Sequence, residues 1–175
     1  MHHNVQRAHW HFFWSALLLV GLIGVTLVYT QKRTSQEEKV PGFGLEHFDG
    51  TITHLEEYRG RPVIINFWAA WCIACRSEMP MFEKIYQAYK DKGLVVLGVH
   101  RTETESQEIA IAFAREVGVT YLLIKDERTR LFGYFNKGLT AIPTTVFIDR
   151  EGYVVVRTIG PRTEKEFFAL AQDIL

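Results

Sequence analysis

The chain has 175 residues, 47% of them hydrophobic and 23% charged, which allows one core-bearing domain and an appendage. Twenty Lys and Arg balance twenty Asp and Glu, and no long single-sign block occurs, so nothing in the charge pattern points to nucleic acid. Two cysteines are too few for a disulfide scaffold, and too few for a structural zinc site unless histidines contribute.

Residues 1–9 form a short N-terminal segment. The nearby histidines, His2, His3, His9 and His11, lack the carboxylate or thiol partner that a metal site would require. From Ala8 to Gln31 no Asp, Glu, Lys or Arg occurs, and Trp10 to Tyr29 is almost wholly apolar. At about 1.5 Å per residue that stretch reaches about 30 Å, the thickness of the hydrocarbon layer. Trp10, Trp14 and Tyr29 lie near its two ends, as interfacial anchors do. Residues 10–29 are therefore expected to be an uncleaved transmembrane anchor. A cleaved signal peptide and a buried core helix are the competing readings. A signal peptide has a shorter apolar region ending in a small-x-small site, whereas the exit here reads Val28-Tyr29-Thr30-Gln31. Residues 30–41 are polar and close with Pro41, which reads as a linker. Residues 42–175 suffice for one compact domain.

Within that domain a hairpin is expected first, with Phe43 to Phe48 and Thr51 to Thr53 flanking the tight-turn dipeptide Asp49-Gly50. Gly60-Arg61-Pro62 punctuates the entry to a strand at Val63 to Trp68, whose unbroken apolar character suggests a central position covered on both faces. A helix is expected from about Ile73 to Lys90, with Met79, Phe82, Ile85, Tyr86 and Tyr89 at helical spacing and Pro80 kinking it. Leu94 to Val99 is the next strand, and Ile109 to Val117 a helix ended by Gly118. The acidic stretch Thr102 to Glu108 reads as a helix start and nothing more. Tyr121 to Ile124 reads as a short strand and Arg128 to Tyr134 as a short helix. Thr144 to Ile148 and Tyr153 to Arg157 form a second hairpin, and the last helix starts at Thr163 with Glu166 completing a capping box. The expected architecture is α/β, with parallel central strands, an antiparallel hairpin edge and flanking helices.

The two cysteines stand in Trp71-Cys72-Ile73-Ala74-Cys75-Arg76, directly after the apolar run Val63 to Ala70. A strand-to-helix junction places both sulfurs at the first turn of the helix, where the dipole favours the thiolate. The thiolate is the attacking species in disulfide exchange, and a dithiol so placed can switch between two thiols and one disulfide. Inert buried thiols and a soft-metal clamp are the alternatives. A metal site could draw only on His47, His54 and His100 besides, and these are scattered.

Several features together resemble one family. Asn66-Phe67-Trp68-Ala69-Ala70-Trp71-Cys72-Ile73-Ala74-Cys75 is similar to the active-site segment of thioredoxin-like proteins. Pro80 falls where that family kinks its active-site helix, and Ile142-Pro143-Thr144 resembles its cis-proline loop. The run Cys75-Arg76-Ser77-Glu78-Met79-Pro80, the N-terminal hairpin and the anchor narrow the resemblance to the membrane-anchored TlpA/ResA/DsbE group of thiol–disulfide oxidoreductases. It implies a thioredoxin-like fold over about residues 41–175, with an added N-terminal hairpin. Two departures stand out: Ile73-Ala74 contains no proline, and Ala141 stands where relatives often carry glycine.

On this resemblance Cys72 is expected to be the more exposed sulfur and the nucleophile, with Cys75 resolving the mixed disulfide. Trp71 flanks the site, and Ile142 and Pro143 would bind substrate if their peptide bond is cis. Glu78 lies one helical turn past Cys75. By spacing alone it reads as a solvated carboxylate, and by resemblance as a partly buried acid that moves a proton to or from the dithiol. Asn66 stands where cytosolic thioredoxins carry a buried acid, and an amide exchanges no proton. Trp68 is assigned to core packing, and His100 to a structural or solvated role.

The expected function is a membrane-tethered thiol–disulfide oxidoreductase that reduces disulfides in exported proteins, with apocytochrome c as the substrate the resemblance implies. A transmembrane thiol donor of the cytochrome-c-biogenesis type would reset it. The Cys72–Cys75 pair is itself the redox group, so no separate cofactor and no metal is expected. Other exported thiols, including those of copper-centre assembly factors, are the alternative substrates, and a copper-binding module the alternative class. The flanking charges (Arg7 on one side, Lys32, Arg33 and Lys39 with Glu37 and Glu38 on the other) slightly favour the opposite orientation. The redox chemistry nonetheless places the domain on the extracytoplasmic side of a bacterial cytoplasmic membrane.

Overall fold

The computed structural model describes residues 38–175; the expected anchor at 10–29 lies outside them. Among the described residues no helix is long and apolar enough to cross a membrane. Seven strands form one sheet: β1 (Gly44–His47), β2 (Ile52–His54), β3 (Val63–Trp68), β4 (Val95–His100), β5 (Leu122–Lys125), β6 (Thr144–Ile148) and β7 (Val154–Ile159). Their spatial order is β2-β1-β5-β4-β3-β6-β7. The central strands β3, β4 and β5 are parallel, and antiparallel hairpins close both edges. Among the described residues four α-helices accompany the sheet: α1 (Ile73–Tyr89), α2 (Gln107–Val117), α3 (Arg130–Asn136) and α4 (Glu164–Asp173). This is the thioredoxin-like arrangement that the resemblance implied.

The period-two alternation of the central strands decides what faces the site. Val63, Ile65 and Phe67 of β3 point to the layer holding α3, where they pack with Leu97, Val99, Phe132 and Phe135. Ile64 points the other way, onto Phe82 and Ile85 of α1 and Phe167 of α4. Trp68 lies on that same side with Met79 of α1 and Phe113 of α2. Asn66, between Ile64 and Trp68, therefore sits on the α1 face, beside Gly98 in β4 and Thr145 in β6.

Gly98 is a fixed point of that face. A Cβ there would stand 2.8 Å from the Tyr121 ring, 3.0 Å from Leu123 and 3.2 Å from Nε1 of Trp68. The missing side chain leaves room for the Tyr121 ring, Leu123 and the Trp68 indole against β4.

Most expected elements occur within a residue or two of their reading. The Val63–Trp68 and Thr144–Ile148 strands coincide with it, and Thr163 and Glu166 make the reciprocal capping box. Gly118 ends α2 in the left-handed region at φ 74°, its N–H satisfying the Ala114 carbonyl. Helix α1 contains Pro80 and passes at Tyr89 into a tight turn over Lys90–Lys92. Helix α3 begins later than read, at Arg130, because the buried Asp126 carboxylate accepts the N–H groups of Leu131 (2.9 Å) and Phe132 (2.8 Å). The acidic stretch does hold the start of α2, at Gln107, two residues before the reading and with Glu108 in its first turn. Arg101 to Ser106, however, form a turned loop with one buried acid in it, more than a helix start. The compact unit begins at Glu38, inside the segment read as linker: Val154 N–H bonds to the Glu38 carbonyl and Val40 N–H to that of Gly152.

Gly98→Ala is expected to cost about 1–3 kcal/mol, the range for overpacking a filled interior. Urea unfolding checks this, with an altered Trp68 environment in near-ultraviolet circular dichroism as the accompanying sign.

Candidate active site

The strand β3 ends at Trp68, and four residues later Cys72 takes the N-cap position of α1 in an extended backbone conformation (φ −79°, ψ 105°). Its sulfur accepts a hydrogen bond from the Cys75 backbone N–H at 3.1 Å, doing what a Ser or Asp oxygen does at other helix starts. Cys72 and Cys75 are joined as a disulfide, with their Cα atoms 5.2 Å apart. Cys72 is 6% exposed and Cys75 fully buried, the order expected of them. No acidic residue occupies the first turn of α1, so the positive end of the helix faces the Cys72 sulfur without a competing carboxylate.

The surroundings of the disulfide are apolar on one side and open on the other. Inside, Cys72 and Cys75 pack with Trp68, Ala69, Met79, Phe113 and the half-buried Ile142. Outside, Trp71 is 56% and Ile73 84% exposed, two large apolar side chains flanking Cys72 in solvent. The Ile142–Pro143 bond is cis, as the resemblance implied. Its loop is held by a buried amide: Asn136 Nδ2 donates to the carbonyls of Leu139 (3.3 Å) and Ala141 (3.1 Å). Thr144 Oγ1 donates to the Ala141 carbonyl at 2.9 Å, and Arg101 Nη1 to that of Thr140 at 3.2 Å.

Glu78 is not a solvated carboxylate. It is 1% exposed, one turn past Cys75 on the inward face of α1. One oxygen accepts the Arg162 backbone N–H at 3.3 Å and the other has no partner. Burial pushes its pKa up to about 7, against smaller opposing contributions from the Arg162 backbone, the Asn66 side chain and the Arg162 charge. Asn66 donates from Nδ2 to Thr145 Oγ1 at 3.0 Å, and its own oxygen is also unpartnered. The inward face of α1 thus carries one carboxyl whose pKa burial pushes up to about 7, and the Asn66 amide on the same side of the sheet does not titrate.

Two residues of the site were not legible. Glu105 came from a stretch read as an ordinary helix start, yet its carboxyl accepts the Ala70 N–H at 2.5 Å and the His100 Nε2 proton at 2.9 Å. His100, read as structural or solvated, is fully buried against Trp68. A loop of alternating Thr and Glu carries no pattern that singles out the second acid. Arg76 is the other: it covers the Phe113 ring at 4.3 Å and bonds to the Ala70 carbonyl at 3.4 Å. Within Cys-x-x-Cys-Arg it reads only as a surface cation.

Comparison with known proteins gives one consistent result. Residues 37–157 match the AhpC/TSA family model. The thiol–disulfide oxidoreductase ResA of Bacillus cereus is 31% identical over 163 residues, covering 90% of this chain and 91% of that protein. The thioredoxin-like protein YneN of Bacillus subtilis is 34% identical over 155 residues, covering 86% and 89%. A crystal structure of a thiol:disulfide interchange protein of the thioredoxin family from Chlorobium tepidum superposes with a TM-score of 0.71 at 27% identity, over 80% of this chain and 97% of that one. With a Cys-x-x-Cys pair capping the helix after β3 and a cis-proline loop beside it, the chain belongs to the AhpC/TSA family, among its ResA-type thiol–disulfide oxidoreductases.

Proposed function

We propose that this protein is a membrane-tethered reductant of disulfides in exported proteins, acting through Cys72 and Cys75, with apocytochrome c as its substrate. The observation that carries the reading is a helix-capping sulfur, Cys72, with a buried acid, Glu78, one turn behind its partner sulfur. In the dithiol form the Cys72 thiolate attacks a substrate disulfide. A Cys72–substrate S–S bond forms and one substrate thiolate leaves. Cys75 then attacks the Cys72 sulfur, which closes the intramolecular disulfide and releases the second substrate thiolate. Two electrons pass from the dithiol to the substrate.

Cys75 must lose its proton in a place that water does not reach. Glu78 is the group on the inward face of α1 placed to take it, and burial has brought its affinity for a proton close to that of a neutral solution. In the reverse half of the cycle, when a thiol donor reopens the disulfide, the same carboxyl returns the proton. The exposed Trp71 and the half-buried Ile142 beside the cis bond would receive the substrate segment, apolar contacts on either side of the sulfur.

Tethering is supported by the apolar stretch from Trp10 to Tyr29. A domain held at the extracytoplasmic surface of the bacterial cytoplasmic membrane would meet both a transmembrane thiol donor and the haem-ligation machinery there. Haem attachment requires reduced cysteines in the apocytochrome, which is the product this reaction delivers.

Cys75→Ser is expected to trap a covalent adduct between Cys72 and a disulfide-bonded apocytochrome peptide, visible by mass spectrometry and released by dithiothreitol. No adduct, or one formed equally well by Cys72→Ser, would remove Cys72 from its role. Glu78→Gln is expected to slow the release step about a hundredfold. It should also abolish the rise in that step's rate through pH 7, because the ionised carboxylate is the proton acceptor.

The same residue leaves a mark on stability. The folded state holds the Glu78 proton more tightly than the unfolded chain, whose carboxyl titrates near 4.5. Wild-type stability is therefore expected to fall as pH rises from about 4.5 to 7, by up to about 3 kcal/mol from this group. Urea titrations of the wild type and Glu78→Gln across that range check this, the variant lacking the decline.

A further inference from the structure

Glu105 takes no part in the sulfur chemistry, yet it is tied to the backbone that delivers Cys72. We propose that Glu105, backed by His100, is a positioning residue that fixes the Ala69–Trp71 turn, so that the Cys72 sulfur keeps its place over α1 when the disulfide is open. The proposal rests on the reading of Cys72 as the attacking sulfur.

The support runs inward from the loop to the sheet. One oxygen of Glu105 accepts the Ala70 N–H at 2.5 Å and the His100 Nε2 proton at 2.9 Å. Both side chains are withdrawn from solvent. His100 ends β4 in register with Trp68. Its ring lies 5.2 Å from the Trp68 ring and edge-on to Phe48 at 5.8 Å. The imidazole cannot swing away without unpacking those aromatics. Burial lowers the His100 pKa despite the opposing Glu105 carboxyl, and Nδ1 has no partner. A second proton would leave a buried donor unpaired, so the ring is neutral and presents Nε2–H to Glu105.

While the disulfide is closed, the S–S bond itself restrains Cys72. Once it opens, three named bonds hold the approach to Cys72. The Cys72 N–H to the Ala69 carbonyl at 3.2 Å is internal to the turn. Arg76 reaches the Ala70 carbonyl at 3.4 Å from a side chain that is 43% exposed. Glu105 to Ala70 N–H is the short, buried one, and it arrives from a different loop. Its loss frees the dithiol form more than the disulfide form. The nucleophile then samples positions from which attack is unproductive, and the dithiol gains entropy.

The test compares Glu105→Ala, Glu105→Asp and Glu105→Gln in the full chain. The readouts are the dithiol–disulfide equilibrium against glutathione and the single-turnover rate of reducing a small aryl disulfide. Gln keeps an acceptor oxygen in place for Ala70 N–H, whereas Asp withdraws it by one methylene. Ala and Asp should each slow reduction about tenfold and move the equilibrium toward the dithiol by about tenfold, about 30 mV. Gln should stay within about threefold of wild type on both measures. If Ala proves unfolded by near-ultraviolet circular dichroism, the Asp–Gln pair carries the comparison. Wild-type behaviour of the Asp variant, or a folded Gln variant as impaired as Asp, would overturn the proposal. The glutathione equilibrium does not depend on which sulfur attacks. Failure of the Cys75→Ser trap would therefore sink the Cys72 reading and leave this result to be judged by itself.

Discussion

The first turn of α1 begins on a sulfur atom, and most of the molecule is arranged around that substitution. A hydroxyl or carboxylate at an N-cap satisfies orphan backbone donors. Here the Cys72 sulfur receives the Cys75 N–H instead. The same backbone group that needs a partner for helix formation thereby lowers the cost of negative charge on sulfur once the disulfide opens. Folding and reactivity draw on one interaction, which is why the dithiol must sit at a strand-to-helix junction and nowhere else in the chain.

The sheet converts that local chemistry into a site. Alternation along β3 puts Ile64, Asn66 and Trp68 on the α1 face, and register carries Thr145 and Gly98 alongside Asn66. Apolar residues fill most of that face, but it leaves several oxygens, those of Asn66 and Glu78 among them, without partners in the interior. Unpaired buried acceptors destabilise a fold, and a raised Glu78 pKa is the response: the protonated acid is easier to bury than the carboxylate. Stability given up beneath the disulfide corresponds to a proton available near neutral pH. The two loops that frame the sulfurs are, by contrast, well satisfied, the cis-proline loop by Asn136, Thr144 and Arg101, and the Ala69–Trp71 turn by Glu105.

Much of this was readable in the sequence because it is written in local rules. The unbroken apolar run of β3, the capping box at Thr163 and the glycine at the end of α2 each depend on neighbours within a few positions. The dithiol was read from its place directly after the β3 run, and the cis-proline by resemblance in a short motif. Glu78 was ambiguous because spacing says which face of a helix it shares with Cys75, but not what lies across from that face. Glu105 was missed for a related reason. Its burial comes from β4 ending against the turn before Cys72, a tertiary fact that no window around Thr102–Glu108 contains. The start of α3 was misplaced likewise, since its cap is the Asp126 side chain reaching past an irregular turn to Leu131 and Phe132.

In the reduced protein the helix start holds the Cys72 sulfur ionised. The most direct measurement is a pH titration of thiolate absorbance near 240 nm on the reduced chain, with Cys75→Ser isolating Cys72. The expected result is a Cys72 pKa clearly below the value of about 8.5 for a free cysteine, with Cys75 titrating later in the intact dithiol. A Cys72 that titrates at or above the free value, or in step with Cys75, would contradict it.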